Sequence, residues 1–241
     1  MKKIINFLKR FQLIKVLFWR LRSFVLKFLF KIKFLGVFKG KNIQIIGFNK
    51  VNIGKGSTLG DNFWLNIANE GYKDKLQNVQ IGEYSNFGRN NFITICDQLV
   101  IGEYFFSSCY CSIIGAGHSA SDPYVPYITS DVIDLGKGIH IGANVSMGAH
   151  SMIVGSVNIG FGSIIGAGSL VNEDVPSLSI VVGSPAKVVK RYSLEKKQWV
   201  RTEDFIETVL ISEDEYLSMI KKNHPSIPLP YHAASARMGW I

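Results

Sequence analysis

The chain has 241 residues, a hydrophobic fraction of 47% and a formal net charge of +9 at pH 7. Its length allows one large core or two small ones, and its composition is that of a globular protein. The three cysteines, Cys96, Cys109 and Cys111, form no C-x-x-C pattern, which argues against a zinc ribbon or a disulfide framework and favours a reducing compartment.

The positive charge is concentrated at the N-terminus. Residues 1–60 contain 14 Lys or Arg and no acidic residue, whereas the remaining 13 basic residues are outnumbered by 18 acidic ones. A basic arm on a mildly acidic body usually meets an anionic surface, either nucleic acid or membrane. The arm contains no recognisable nucleic-acid-binding module.

Residues 1–41 are rich in Phe, Leu, Ile and basic residues, and charges interrupt every apolar run before the ~18–20 residues of a membrane span. At about 100° per residue, several basic side chains share one side of a helix. They are Lys2, Lys9, Arg20, Lys27 and Lys31, with a second line at Lys15, Arg22 and Lys33. We predict a basic amphipathic helical arm on an anionic membrane. Packing on the protein or on a partner, or a cleaved targeting peptide, are the alternatives.

The second half of the chain repeats every six residues. An apolar or small residue recurs at Leu135, Ile141, Met147, Ile153, Ile159, Ile165, Val171 and Ser177. A second, mostly small position lies two residues earlier, at Ile139, Val145, Ser151, Val157, Ser163, Ser169 and Val175. A six-residue period indicates a parallel β-helix, with both positions facing inward. The repeat begins near Ile45, and Cys111 falls on an inward position, which predicts a buried thiol.

Two stretches interrupt the repeat, a polar loop at 69–78 and a longer loop at 119–134 that contains two prolines. A long loop inside a compact solenoid is usually functional. We predict a mainly β domain over 42–191, within which the β-helix itself ends near Pro176 to Gly183. A charged, partly helical C-terminal extension follows over 192–241.

The extension contains a helix-initiation signal. Ser212 to Glu215 match the capping box that opens a helix, here running toward Lys222.

Three hexads make one coil, so positions 18 apart should stack, about 4.8 Å per layer. If the loop at 119–134 is a pure excursion, Gly115, Ala149 and Ala167 form a ladder of minimal side chains. This ladder would make a groove for a long thin ligand, with His118 at its end.

Several motifs resemble those of the hexapeptide-repeat acetyltransferases, over roughly residues 45–200. They are the hexads, Gly115-Ala116-Gly117-His118 before the loop, Ile165-Gly166-Ala167-Gly168-Ser169, and the closing Gly183-Ser184-Pro185-Ala186-Lys187. The maltose/galactoside acetyltransferase-like branch is most similar, and within it the O-antigen and capsular polysaccharide O-acetyltransferases. The resemblance implies a left-handed β-helix, a bacterial homotrimer with active sites between subunits, acetyl-CoA as co-substrate and no metal.

The resemblance also implies roles for individual residues. His118 corresponds to the catalytic general base, and Gly148 and Ala149 to the backbone contact of the thioester. Asn86 and Asp97 correspond to the acceptor-binding residues. The pantetheine and nucleotide-phosphate contacts correspond to Gly166, Ala167, Asn172, Lys187 and Lys190. The residue that orients His118 stays open between Asp122 and Asp131.

The function implied is O-acetylation of a sugar hydroxyl in a surface polysaccharide or its precursor, at the inner face of the cytoplasmic membrane. An N-acetyltransferase acting on an amino or nucleotide sugar is the alternative enzyme. A non-enzymatic scaffold is the alternative outside catalysis. His140 and His150 raise a zinc hypothesis, but they are ten residues apart and on different predicted faces.

Overall fold

A computed structural model describes residues 25, 29, 32–68, 78–136, 138–206 and 209–224. The chain divides into two compact units, Met1–Leu35 and Gly36–Ile241. In the first unit, Val25, Leu29 and Ile32 are helical and about half exposed. Most of the predicted basic arm, the loop at 69–77 and residues 225–241 lie outside the described residues.

The second unit is a parallel β-helix whose short strands form three sheets. Face A contains β1 (Phe38–Lys39), β4 (Thr58–Leu59), β7 (Asn86–Phe87), β10 (Phe106–Ser107), β14 (Ser146–Met147), β17 (Ile164–Ile165) and β19 (Ser179–Gly183). Face B contains β2 (Gln44–Ile46), β5 (Trp64–Ile67), β8 (Phe92–Ile95), β11 (Ser112–His118), β15 (Met152–Val154) and β18 (Leu170–Val171). Face C contains β3 (Val51–Ile53), β6 (Asn78–Ile81), β9 (Gln98–Ile101), β13 (Ile139–Ile141) and β16 (Asn158–Ile159).

The remaining elements extend or decorate this helix. They are β12 (Val132–Asp134), β20 (Ala186–Ser193), β21 (Gln198–Arg201), the 3-10 turns Phe48–Lys50, Tyr127–Thr129 and Thr202–Asp204, and helix α1 (Glu213–Asn223). Strands β20 and β21 continue face A, because β20 pairs antiparallel with β19 and β21 pairs antiparallel with β20. The sequence predicted a partly helical extension after residue 191, and strand β21 was missed.

Each coil runs from face A to face B to face C, and the turns between faces make three edges. Edge AB contains the turns at 40–43, 60–63, 88–91, 108–111, 148–151 and 166–169. Edge BC contains the turns at 96–97, 155–157 and 172–174 and the excursion at 119–138. Edge CA contains the turns at 54–57, 82–85, 102–105, 142–145 and 160–163.

The two inward positions of each hexad form the core. Met147, Ile153 and Ile165 are fully buried, and burial of each such side chain contributes about 1.5–3 kcal/mol. The smaller inward position often holds serine, whose hydroxyl bonds to a turn carbonyl. Ser151 donates to Gly148 O at 2.7 Å, and Ser163 donates to Pro176 O at 2.9 Å. The predicted inward pattern is therefore confirmed from Ile139 to Val175, whereas Ser177 is only partly buried.

Of two further details of that pattern, one is confirmed and the other is wrong. Cys111 is buried as predicted, and burial raises the pKa of its thiol. The prediction that Leu135 is the first inward residue is wrong, because its side chain is 37% exposed. Leu135 belongs to the loop that follows β12, and its N–H donates to Gly115 O. The repeat resumes only at Ile139, whose side chain is fully buried.

Helix α1 closes edge CA. It begins with the predicted capping box, in which the Ser212 hydroxyl accepts from Glu215 N and the Glu215 carboxylate accepts from Ser212 N. The Tyr216 hydroxyl accepts from Asn144 Nδ2 at 2.6 Å, and the Lys221 ammonium lies 2.9 Å from the Glu103 carboxylate. These contacts join α1 to two successive coils.

We expect Tyr216→Phe to lower the free energy of unfolding by about 0.5–1.5 kcal/mol at neutral pH, because it removes the bond from Asn144. Burial also raises the pKa of Tyr216 above its usual 10.0. Above about pH 10 the unfolded chain therefore releases a proton that the folded chain retains, so stability falls as the pH rises. Urea denaturation at pH 8 and pH 10.5 measures both effects. Between these two pH values, the free energy of unfolding should fall less for the variant than for wild type.

Tyr127→Phe is the matched control, because Tyr127 is 54% exposed and lies away from α1. Equal unfolding free energies for wild type and Tyr216→Phe at pH 8 would contradict the role assigned to the Tyr216 hydroxyl.

Candidate active site

His118 ends the last strand before the excursion. It is the final residue of β11, where the chain leaves face B at edge BC, and it pairs with Val132 of the returning strand β12. Its side chain is exposed, and its Nδ1 lies 3.2 Å from the carbonyl oxygen of Ser130. The main chain of the excursion therefore contacts the side chain of the histidine from which the excursion begins.

The turn before β12 presents that carbonyl. Ser130 Oγ donates to Tyr127 O at 2.8 Å, and Thr129 Oγ1 donates to Pro126 O at 2.8 Å. These bonds stabilise the turn. Pro126 therefore contributes to the turn through its carbonyl oxygen, besides interrupting the repeat. The sequence left Asp122 and Asp131 as candidates for orienting His118, but the described contact is made by the Ser130 main chain.

The two aspartates have other bonds. The Asp122 carboxylate accepts from Tyr124 N at 2.9 Å, and the Asp131 carbonyl accepts from Ser119 N at 2.9 Å. Both bonds stabilise the excursion. No sequence pattern could have identified Ser130, because a main-chain carbonyl can be supplied by any residue.

The contact with Ser130 determines the tautomer of His118. A carbonyl oxygen only accepts, so the hydrogen bond requires a proton on Nδ1. In the neutral ring Nε2 then carries the lone pair. This arrangement prepares an exposed nitrogen base whose ring orientation is fixed from the other side.

Edge AB carries the predicted thioester and pantetheine residues on closely stacked turns. A Cβ on Gly148 would lie 2.5 Å from Ala167 N, and a Cβ on Gly166 would lie 2.8 Å from Val182 Cγ1. Gly168 N donates to Ala149 O at 2.9 Å, which links the two turns. Around Gly168 there is open space within 4 Å of an added Cβ. The edge is therefore a narrow track with few side chains.

The predicted ladder of Gly115, Ala149 and Ala167 is wrong in its first member. Ile113 pairs with Ile153 on face B, whereas Met147 pairs with Ser107 on face A. The turn below Ala149 therefore contains Cys109, whose carbonyl accepts from His150 N at 3.1 Å. The error arose because the excursion runs to residue 138, and the chain then forms a strand of face C before it returns to face A.

Tyr110 and His150 are edge AB residues that sequence analysis did not place in the site. Their rings stack with centroids 4.9 Å apart and planes 3° apart. Both have positive φ, so equivalent positions of successive turns place one ring over the other. The residues lie 40 apart in the sequence, and only the register across the excursion reveals the pair.

The acceptor residues lie on different sides of the helix. Asn86 opens β7 on face A, where it pairs with Phe106. Asp97 lies at edge BC, two residues after Ile95, which pairs with Gly115. Asp97 is therefore one coil before His118 on the same edge, and Asn86 is not.

The predicted phosphate residues lie at the C-terminal end of the helix. Lys187 and Lys190 are exposed residues of β20, and Asn172 is exposed just after β18. The Lys187 ammonium lies 2.9 Å from the carboxylate of Glu173, which follows Asn172 in the chain. This ion pair brings two of the predicted cofactor positions to one region, and Glu173 was not foreseen.

The predicted residues thus occupy two opposite edges of face B. Ala149 and Ala167 precede face B at edge AB, whereas His118 and Asp97 follow it at edge BC. From Ala149 to Gly155, the chain spans six residues of nearly extended backbone, roughly 20 Å. A single chain does not bring His118 to the backbone of Ala149.

A separate groove of about 680 Å³ lies on face C, lined in part by His140, Asn158, Asp174 and Glu213. None of the predicted site residues line it. His140 on face C and His150 on edge AB are also far apart in the fold. Within the described ranges, no group of three or more His, Cys, Asp or Glu residues is arranged to hold a metal ion.

Comparisons with known proteins agree with the repeat and the fold. No family model matches the chain. The chain is 26% identical over 171 residues to "Putative lipopolysaccharide biosynthesis O-acetyl transferase WbbJ" of Escherichia coli (strain K12), covering 66% of this chain and 84% of WbbJ. It is 29% identical over 182 residues to "Probable acetyltransferase Rv3034c" of Mycobacterium tuberculosis, covering 74% of this chain but only 58% of that relative.

A solved structure supports the same fold. The crystal structure of a mutant of AntD, an N-acyltransferase from Bacillus cereus, in complex with dTDP and coenzyme A, matches with a TM-score of 0.55. The sequences are 24% identical, and the match covers 80% of this chain and 96% of AntD. The fold is thus the left-handed parallel β-helix expected from the repeats. In sequence the chain is similar to proteins named as acetyltransferases, and in fold it is similar to an N-acyltransferase.

Proposed function

We propose that the protein is an acetyl-CoA-dependent O-acetyltransferase that modifies a sugar hydroxyl of a surface polysaccharide or its precursor. The observation that carries the proposal is the placement of His118, whose Nδ1 faces the Ser130 carbonyl while Nε2 is left as a base. The kinship with WbbJ, which is named as an O-acetyl transferase of lipopolysaccharide biosynthesis, supports a polysaccharide acceptor.

In the proposed reaction, Nε2 of His118 takes the proton of the acceptor hydroxyl as its oxygen attacks the thioester carbonyl. The resulting tetrahedral oxyanion receives a hydrogen bond from a backbone N–H near Ala149. Collapse of the intermediate breaks the carbon–sulfur bond and forms the ester. The departing thiolate takes the proton back from the imidazolium, which restores the neutral base.

The donor would lie along edge AB. Gly148 and Gly166 allow the turns to stack closely, and the exposed Ala167 with the open space at Gly168 would leave room for a thin pantetheine arm. Lys187 and Lys190 lie farther along, where they would meet the nucleotide phosphates. Coenzyme A in the AntD crystals, on a related fold, is consistent with such a donor. The proposed cofactor residues are Gly148, Ala149, Gly166 and Ala167 on edge AB, and Asn172, Lys187 and Lys190 at the C-terminal end of the helix.

Face B would pack against other copies of the chain in a homotrimer. Its outward side is largely apolar, with partly exposed Trp64, Phe92, Ile114, Met152, Val154 and Leu170. Trp64 and Phe92 stack with centroids 4.5 Å apart. Face C is polar by contrast, with exposed Asn52, Gln80, His140 and Asn158. Packing of face B places edge AB of one subunit beside edge BC of the next, which completes the site.

N-acylation of an amino sugar is the second candidate. AntD is named as an N-acyltransferase and was crystallised with dTDP, which favours a nucleotide-sugar acceptor in that protein. An alcohol acceptor must lose its proton as it attacks, so a fixed base such as His118 is central to O-acetylation. We therefore favour the hydroxyl acceptor.

The N-terminal unit would hold the enzyme on an anionic membrane at the cytoplasmic side. Val25, Leu29 and Ile32 are helical, share one helix face by their spacing and are 44%, 47% and 55% exposed. Residues 1–60 contain 14 basic and no acidic residues. An apolar stripe with basic flanks fits the interface of an anionic bilayer. Among the described residues, none forms a helix long and apolar enough to cross a membrane.

We expect His118→Ala to reduce acetyl-CoA turnover by about 10²–10⁴-fold, the usual contribution of a general base. Thiol release is measured with methyl glycosides of galactose, glucose and N-acetylglucosamine, with purified O-polysaccharide and with an amino sugar nucleotide. His140→Ala, an exposed histidine on face C, is the matched control. Turnover confined to the amino sugar would favour N-acylation, whereas failure to bind coenzyme A would favour a scaffold.

The composite site predicts complementation between two inactive variants. His118→Ala damages edge BC, and Ala167→Trp blocks edge AB at an exposed position. Random mixing of the two should restore about one quarter of wild-type turnover, because one quarter of the sites combine two intact edges. Mixed oligomers as inactive as either parent would contradict a site shared between subunits.

The membrane proposal predicts that Leu29→Glu with Ile32→Glu weakens binding to vesicles by about tenfold or more. The vesicles contain phosphatidylcholine with or without phosphatidylglycerol, and binding is measured by co-sedimentation. Ile206→Glu, at a residue 77% exposed in the C-terminal extension, is the control. Equal binding of wild type to neutral and anionic vesicles would contradict the proposal that the N-terminal unit binds an anionic membrane.

A further inference from the structure

An acidic residue occupies the region of the predicted phosphate contacts. The Glu173 carboxylate lies 2.9 Å from the Lys187 ammonium, and the two side chains are 65% and 63% exposed. Lys190, three residues later on β20, has no acidic partner among the described residues. The region therefore combines two lysines with one carboxylate, and the carboxylate is bound to one of the lysines.

Lys187 continues the donor track of edge AB. It pairs with Val182, whose Cγ1 lies 2.8 Å from the Cβ position of Gly166. Successive coils therefore lead from Gly148 through Gly166 and Val182 to Lys187. A donor whose thioester lies at Ala149 would extend its charged end toward this lysine.

The ion pair between Lys187 and Glu173 is weak and easily exchanged. Exposed pairs contribute little to stability, because water and salt screen them and both long side chains are restrained. A phosphate offers Lys187 stronger charge-assisted bonds than a carboxylate does. The same phosphate is repelled by the Glu173 carboxylate if both approach the lysine.

We propose that Glu173 is a specificity-determining residue of the donor site, which competes with the donor phosphates for Lys187. This inference rests on the proposed acetyl-CoA site. An isolated phosphate ion must displace Glu173 without other help. Coenzyme A is also held along edge AB by its pantetheine arm, so its phosphates reach Lys187 at high effective concentration. Glu173 thus favours ligands that engage the whole track.

The test is the affinity of the full-length protein for coenzyme A, dephospho-coenzyme A and pantetheine, measured by calorimetry. Glu173→Gln keeps the size of the side chain and removes its charge. We expect it to tighten coenzyme A binding about two- to fivefold, the scale of an exposed ion pair. The gain should shrink between 50 mM and 500 mM salt, and pantetheine, which has no phosphate, should show no gain.

Glu203→Gln is the matched control. Glu203 pairs with Arg201 at 3.5 Å just after β21, and the two side chains are 70% and 73% exposed. This pair also holds an exposed glutamate beside a basic side chain but does not involve Lys187, so the loss of its charge should leave the affinity for coenzyme A unchanged. Lys187→Gln should weaken coenzyme A binding.

The outcomes separate the two proposals. A larger gain for coenzyme A than for dephospho-coenzyme A supports competition at the 3′-phosphate, and equal gains support competition at the diphosphate. Unchanged or weaker coenzyme A binding by Glu173→Gln, or an equal gain for pantetheine, overturns the role of Glu173 alone. A folded wild-type protein that binds none of the three ligands overturns the donor site itself.

Discussion

The close stacking of turns at the edges of the helix is the constraint on which the rest of the structure depends. A Cβ on Gly88 would lie 2.5 Å from Ser108 O, and one on Gly102 would lie 2.5 Å from Ala143 N. Asn90 continues the stack with a positive φ, and its N–H donates to Asp61 O at 2.8 Å. Backbone thus lies against backbone between these successive turns. Extra residues can leave the stack only at an edge and must return to the same register.

The candidate site follows from this constraint. The excursion leaves after His118 and returns through β12, which pairs antiparallel with β11, so His118 is fixed where the two strands separate. Ser130 can approach the imidazole because its turn immediately precedes β12. The stack supplies the opposite requirement at edge AB, where close contacts at Gly148 and Gly166 leave no space for a larger side chain at these positions. The fixed orientation of His118 and the small residues at Gly148 and Gly166 therefore both follow from the close stacking of turns.

The same rule explains what could be predicted from the sequence. Inward positions such as Met147 and Ile165 repeat locally, and the Ser212 capping box is a four-residue pattern, so both were found. Register across the excursion depends on how many residues return to which face, which no local pattern encodes. For that reason Gly115 was misplaced and the stack of Tyr110 on His150 was missed. The contact between Lys187 and Glu173 joins two segments at the C-terminal end of the helix, and it likewise has no signature in the sequence.

The three edges have different roles, and their difference favours an assembly. Edge CA is covered by α1 through Tyr216 and Lys221, and face C beside it is polar. Among the described residues, no helix covers edges AB and BC, and both border the largely apolar face B. The residues that the family resemblance assigns to chemistry divide between these two edges, which a single chain holds apart. Burial of face B against a second copy would remove its apolar surface from water and join the two halves of the site. The hydrophobic driving force for assembly and the geometric requirement for the proposed catalysis would therefore be satisfied by the same contact.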